Sequence, residues 1–253
     1  MNTLKSFQLK GHHLIFQDEV LSTNNYATRL LASEKVEEGT VVLTFRQSKG
    51  RGHGKNVWES EDFKNLTFSL VLFPDFLPAN MQFLLSQVVS LGLYDFLSGK
   101  TGNVAIKWPN DLLIHEKKVA GILIENSVMG KNLQSSVIGI GININQIVFP
   151  DHLPHATSLA IETGKEYDLE ETCQLILHEI MKWYQALKKQ QMEKINDWYL
   201  KLLFRKGEKS LFKKDNLVFE AEIQGIDHYG QLLLKNASGE IKVFPFKSVE
   251  MIF

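Results

Sequence analysis

The spacing of apolar and polar positions changes several times along the 253-residue chain, and each change marks an element. Ser22 and Thr23 offer capping hydroxyls to a helix running to about Ser33, on which Tyr26, Leu30 and Leu31 fall near one face. Residues 39–46 and 65–73 are rich in β-branched and aromatic side chains and read as neighbouring strands. Between 78 and 97 apolar positions, among them Met81, Leu84, Leu85, Val88, Val89 and Leu91, surround the helical wheel. That predicts a helix buried against a sheet, with Pro78 in its first turn. Residues 104–108, 111–115, 119–126 and 135–143 follow as strands with brief turns, the pattern of an antiparallel meander, which converges the side chains it carries on one sheet. A helical period returns over 168–204 through Leu175, Ile176, Ile180, Trp183, Tyr184 and Leu187, and Arg205-Lys206-Gly207 ends it. Beyond lie three strand-like runs, 217–226, 231–236 and 240–246, of a small barrel. The chain therefore reads as α+β: residues 1–205 a lobe with a mixed or antiparallel sheet and helices packed on it, residues 206–253 a small C-terminal β-barrel.

Composition narrows what this frame can serve. Lys plus Arg number 28 against 29 Asp plus Glu, a formal net charge of −1, so there is no global field to hold nucleic acid. The single cysteine, Cys173, excludes an intrachain disulfide framework, fits a reducing compartment and sits in a helical pattern as a packing residue. No run approaches the roughly 20 apolar residues of a membrane span, and the N-terminus lacks a signal-peptide pattern. A cytoplasmic setting without membrane contact is expected. His152, His155, Cys173 and His178 do not have metal-ligand spacing.

Chemistry concentrates in residues 47–58, Gln-Ser-Lys-Gly-Arg-Gly-His-Gly-Lys-Asn-Val-Trp, where three glycines and three cations precede a tryptophan. Glycines let backbone amides approach an anion, Arg51 offers a planar fork, Lys49 and Lys55 add point charges, and Trp58 can cover an apolar part of a ligand. Alone, such a tract is more often a mobile surface turn. Lys107-Trp108-Pro109-Asn110-Asp111 follows, with Asn110 and Asp111 fixed at a turn by the proline. Lys118-Val119-Ala120-Gly121 and Ile138-Gly139-Ile140-Gly141-Ile142-Asn143 come next. Gly121 and Gly141 are close-approach positions or strand bulges. Trp108 reads as a core aromatic, and Lys107 as a phosphate ligand or an exposed strand end.

Together with Ser22-Thr23-Asn24, these motifs in this order resemble the biotin protein ligases, strongly over Leu21 to about Asn143 and more loosely over the C-terminal segment. The resemblance implies the class II synthetase-like biotin–lipoate ligase fold with an SH3-like C-terminal barrel. It also implies the reaction: biotin and Mg·ATP give biotinyl-5′-AMP and pyrophosphate, and the adenylate passes to a lysine of biotin carboxyl carrier protein or a related carboxylase domain. By resemblance Ser22, Thr23, Asn24, Gln47, Gly50, Arg51, Gly52, Trp58 and Gly121 form the biotin site, with Arg51 orienting the carboxylate. His53, Trp58, Lys107, Asn110, Asp111, Lys118, Gly141 and Asn143 form the nucleotide site. Lys118 matches the family lysine at the α-phosphate, where a cation stabilises developing negative charge. Asp111 serves Mg²⁺ or orients Lys118, and Asn143 donates to ribose or phosphate. His53 departs from the family, which carries an arginine there associated with holding the adenylate. Repressor members carry an additional helix-turn-helix segment, so the chain resembles the stand-alone form, with no operator binding expected and a sheet-edge homodimer in keeping with the family. Two rival readings are a lipoate or octanoate ligase or transferase of the same fold, and a non-catalytic nucleotide- or nucleic-acid-binding module. A linear acyl chain has no use for the ureido partners, and the near-neutral charge weighs against the latter.

Overall fold

A computed structural model describes residues 9–54 and 56–252. The first lobe holds a seven-stranded sheet of β1 (Leu14–Gln17), β2 (Val41–Thr44), β3 (Leu66–Leu72), β4 (Val104–Lys107), β5 (Asp111–Ile114), β6 (Lys117–Met129) and β7 (Asn132–Ile142), in the spatial order β1-β2-β3-β7-β6-β5-β4. Every neighbouring pair is antiparallel except β1 and β2. The predicted meander is the β4-to-β7 half. Helices are α1 (Thr23–Ser33), α2 (Phe83–Ser98), α3 (Leu159–Thr163), α4 (Leu169–Lys188) and α5 (Met192–Lys201).

β2 and β3 are buried at every position because helices cover both faces of the sheet. Side chains alternate across a strand, so each run divides between two cores. Val42, Val71 and Val137 pack with Ala27 of α1 on one side. Leu43, Phe68, Leu70 and Ile138 join α2 and α4 on the other. The helix predicted over 78–97 opens instead as a tight turn at Ala79–Met81 before α2. The helical run over 168–204 divides at Gln190, whose φ of 57° is left-handed and ends α4. On α1 the buried residues are Thr23, Asn24 and Ala27, whereas Tyr26, Leu30 and Leu31 are only half-buried. Polar side chains inside a helix–sheet interface mark that face as something other than ordinary core.

The C-terminal barrel is a five-stranded antiparallel sheet of β8 (Lys209–Lys214), β9 (Leu217–Ile226), β10 (Leu232–Asn236), β11 (Ile241–Phe244) and β12 (Glu250–Ile252), in the order β11-β10-β9-β8-β12. It is seated firmly on the first lobe. Trp108 Nε1 donates to the Gly230 carbonyl at 2.8 Å, and Phe246 stacks on both Trp108 and Phe83, at 5.5 and 5.4 Å between ring centres. Gly230 has a φ of +83°, and a Cβ there would collide with the Phe83 ring. One apolar core runs from the sheet of the first lobe into the barrel through Phe212, Ile223 and Leu234. Among the described residues no helix is long and apolar enough to cross a membrane.

Candidate active site

Strand alternation assembles the site. On the sheet face toward α1, register places Thr67 opposite Gly141, Ser69 opposite Gly139, and these two glycines opposite Gly121 and Leu123. A strip of small residues therefore runs across β3, β7 and β6, leaving room above the sheet where neighbouring positions would carry bulk. A Cβ at Gly139 would collide with the Asn24 amide, and one at Gly141 with the Trp58 indole. The resulting cavity is lined by, among others, Ser22, Thr23, Gln47, Trp58, Asp111 and Lys118.

At one end sit the hydroxyl and amide groups. Ser22 occupies the N-cap position of α1, but its side chain makes no capping hydrogen bond; the residue lines the cavity. The Thr23 backbone N–H donates to Gln47 Oε1 at 2.9 Å. Asn24 donates through Nδ2 to Leu123 O at 3.1 Å and Glu125 Oε2 at 2.9 Å. At the other end Lys118 Nζ stands 2.7 Å from Asp111 Oδ1 and 5.7 Å from the Trp58 ring centre. The Lys118–Asp111 contact is a close ion pair without hydrogen-bond alignment. The Lys118 backbone is gripped on both sides: its N–H donates to His155 O at 2.7 Å, and its carbonyl accepts from Thr157 N at 2.9 Å. A cation is thus held in fixed register at the end opposite the hydroxyls.

The glycine loop is a small hairpin closed by Gly52 N to Asn56 O (2.8 Å) and Trp58 N to Gly50 O (3.0 Å). Gly50 does not line the cavity; it lies where a Cβ would strike the Trp58 carbonyl, so its role is to let the hairpin close. Gly52 lines the cavity, while Lys55 lies outside the described residues. Trp58 lies over Gly121 and Gly141, and its buried Nε1 has no hydrogen-bond partner among the described residues. With the indole there the cavity measures about 100 Å³, well below the roughly 300 Å³ of a small ligand site. A ligand of that size therefore requires the lining, which includes Trp58, to make room.

The structure gives three of the expected site residues further neighbours. Arg51 does not point its guanidinium toward Lys118; it pairs with Glu125 Oε1 at 2.8 Å and donates to Asn25 Oδ1 at 2.6 Å. Those contacts fasten the loop to β6 and α1, and Arg51 also lines the cavity. Asn143 is absent from the cavity wall: Nδ2 donates to Thr157 O at 2.9 Å, which braces the segment that grips Lys118. Lys107 faces the grooves between sheet and barrel. Burial first, then Lys118, pushes its pKa down against the opposing pull of Asp111 and Glu250. Asn110 lines the cavity while donating to Ile122 O at 2.7 Å, and Trp108 belongs to the core between the lobes.

His53 is half-buried at the cavity edge. Burial holds its pKa below the ordinary value, and Lys247 of the barrel adds repulsion that outweighs the pull of Asp111. Lys247 reaches the loop closely: its Nζ would be 3.2 Å from a Cβ on Gly54. Ser69, Glu125 and Lys247 are site neighbours that sequence reasoning missed. Ser69 had a signal, a hydroxyl two positions from that of Thr67 on one face of the otherwise apolar buried strand Leu-Thr-Phe-Ser-Leu-Val-Leu; Lys247 had none. Among the described residues no three His, Cys, Asp or Glu side chains converge on a metal position.

Residues 17–143 match the biotin/lipoate A/B protein ligase family. Among curated proteins, the bifunctional ligase/repressor BirA of Bacillus subtilis is 33% identical over 241 residues, spanning 94% of this chain and 74% of that protein. The biotin–[acetyl-CoA-carboxylase] ligase of Paracoccus denitrificans is 33% identical over 236 residues, spanning 90% and 96%. Among solved structures, the biotin protein ligase from Aquifex aeolicus in complex with biotin and ATP superposes with a TM-score of 0.79 at 29% identity, over 95% of this chain and 98% of that one. On the match over its sheet-borne motifs and the near full-length relatives, the chain belongs to the biotin/lipoate A/B protein ligase family.

Proposed function

We propose that this chain is a biotin protein ligase that activates biotin with ATP and delivers it to a lysine of a carboxylase carrier domain, as in biotin carboxyl carrier protein. The observation that carries the reading is a single cavity with neutral hydrogen-bonding groups at one end, Thr23 and Gln47, and a fixed cation, Lys118, at the other. The neutral end suits a ureido ring, which both donates and accepts. The cationic end suits a carboxylate meeting a phosphate.

In the first step a carboxylate oxygen of biotin attacks the α-phosphorus of ATP, the bond to the bridging oxygen breaks, and pyrophosphate leaves. Lys118 beside the α-phosphate offsets the charge that accumulates on its oxygens, an effect strongest where the donor is already held in place. Its backbone grip and the Asp111 contact supply that placement. Trp58, once displaced, covers the adenylate and keeps water from the anhydride. In the second step the carrier lysine amine, deprotonated, attacks the acyl carbon; the acyl–oxygen bond breaks and AMP departs.

Mg²⁺ enters with the nucleotide. Asp111 is the one carboxylate on the cavity wall among the described residues, and a single carboxylate plus phosphates is an ordinary Mg²⁺ environment. Asp111 would hold the ion, which draws charge from the phosphates when bound. Incubating the chain with ATP, Mg²⁺, a recombinant carrier domain and an equimolar mixture of biotin, lipoate and octanoate, then weighing the carrier, tests the proposal. Addition of one biotinyl group is expected. Addition of lipoate or octanoate in preference to biotin overturns it.

A further inference from the structure

The hydrogen-bond partners beneath the cavity determine which way each polar group faces, and this rests on the biotin reading of the site. Asn24 Nδ2 meets two groups that can only accept, the Glu125 carboxylate at 2.9 Å and the Leu123 carbonyl at 3.1 Å. That fixes the amide and turns Oδ1 the other way, toward Ser69 Oγ at 2.7 Å. Oδ1 has no proton to give, so Ser69 must donate to it. Ser69 Oγ also lies 2.8 Å from Thr23 Oγ1, and it has only one hydrogen. With that hydrogen committed to Asn24, the proton between the two hydroxyls belongs to Thr23. The rival acceptor for Thr23, Gln47 Oε1 at 3.4 Å, is beyond normal O–H···O length, so the 2.8 Å contact wins. Glu125 is itself held in place by Arg51 at 2.8 Å. Polarity therefore runs in one direction from a fixed carboxylate through Asn24 and Ser69 to Thr23.

We propose that Ser69, fully buried and absent from the cavity wall, is a positioning residue that commits the Thr23 proton to the protein and so presents a Thr23 lone pair to the ligand. Gln47 Oε1 accepts from the Thr23 backbone N–H at 2.9 Å, which turns its Nε2 toward the Gly50 side of the loop. At Thr23 the neutral end of the cavity thus offers an acceptor, which complements a ring N–H, as in a cyclic urea, and rejects a ring whose atom there carries a lone pair.

The test is titration calorimetry on the full chain and on Ser69→Ala, with biotin and with the two cyclic carbamate analogues in which one or the other ureido N–H is replaced by oxygen. The wild-type protein should bind biotin at least tenfold more tightly than the carbamate whose oxygen faces Thr23, since one side of a buried hydrogen bond is lost. In Ser69→Ala the Thr23 hydroxyl is released and can donate. Biotin should weaken by about tenfold while that carbamate holds or tightens, and discrimination should collapse. A merely structural role for Ser69 would weaken both ligands by the same factor, and that result, or no change in either, overturns the proposal. Melting curves establish that the variant folds; if it does not, Ser69→Cys, similar in shape and poor at hydrogen bonding, takes its place with the same expected pattern. Failure of the wild-type chain to bind biotin at all would instead reject the reading of the site on which this rests.

Discussion

Replacing Lys118 by alanine separates binding from chemistry. The amine sits at the end of the cavity remote from Thr23 and Gln47, so ureido recognition survives its loss and biotin affinity should change by less than about threefold, under 1 kcal/mol. The structural cost is also small. The Lys118 side chain is 40% exposed and its Asp111 partner 20%, so solvent screens the pair to about 1 kcal/mol. That corresponds to a fall in Tm of roughly 2–4 °C for a chain of this size. The rate tells a different story, because the cation acts where charge develops and is already positioned by His155 and Thr157. Removing such a preorganised group costs on the order of 10²–10³ in the chemical step. Calorimetry with biotin and ATP–pyrophosphate exchange on the same preparation measure the two quantities. Exchange near the wild-type rate would remove Lys118 from the mechanism, and a loss of biotin affinity matching the loss of rate would show it to be a binding residue instead.

Exchanging His53 for arginine should slow escape of the adenylate by about tenfold, the worth of one charge-assisted contact, because burial and Lys247 keep the imidazole neutral where an arginine would stay charged. Adenylate formed on each enzyme and chased with unlabelled substrates gives the rates, and equal rates refute it. Biotin should displace the Trp58 ring and order the loop, read as a fluorescence change lost in Trp58→Phe together with increased amide protection across residues 48–57; identical spectra and exchange with and without biotin would mean the indole does not move. Trp108→Ala removes a buried ring, its stack on Phe246 and the bond to Gly230, and should cost about 3–5 kcal/mol in denaturant unfolding. A cost under 1 kcal/mol would show that the barrel is seated by other contacts.

Much of the frame was legible in the chain because period and length are local properties. The long amphipathic and all-apolar segments declared α2, α4 and the β4–β7 meander, and the match of several motifs to one family supplied the chemistry. Short strands were not legible: β1, β8 and β12 are three to six residues long and owe their extended form to partner strands rather than to their own composition. The direction of a side chain was equally hidden. Arg51 reads as a free fork until Glu125, 74 positions away, arrives beside it through β6. The Thr157 carbonyl that Asn143 Nδ2 meets, 14 positions away, was equally out of sight. Tyr26, Leu30 and Leu31 suggested the buried face of α1, whereas the site required Thr23 and Asn24 there.

The most direct test of the central claim, that one cavity holds the ureido ring at Thr23 and the reacting carboxylate at Lys118, is a crystal structure of the chain soaked with biotin, ATP and Mg²⁺. Continuous biotinyl-AMP density is expected over Gly139, Gly141 and Gly121, with the ring against Thr23 and Gln47, the phosphate beside Lys118, and the Trp58 indole moved onto the ligand. Density in the reverse orientation, or ligand seated only in the groove between sheet and barrel, would contradict it.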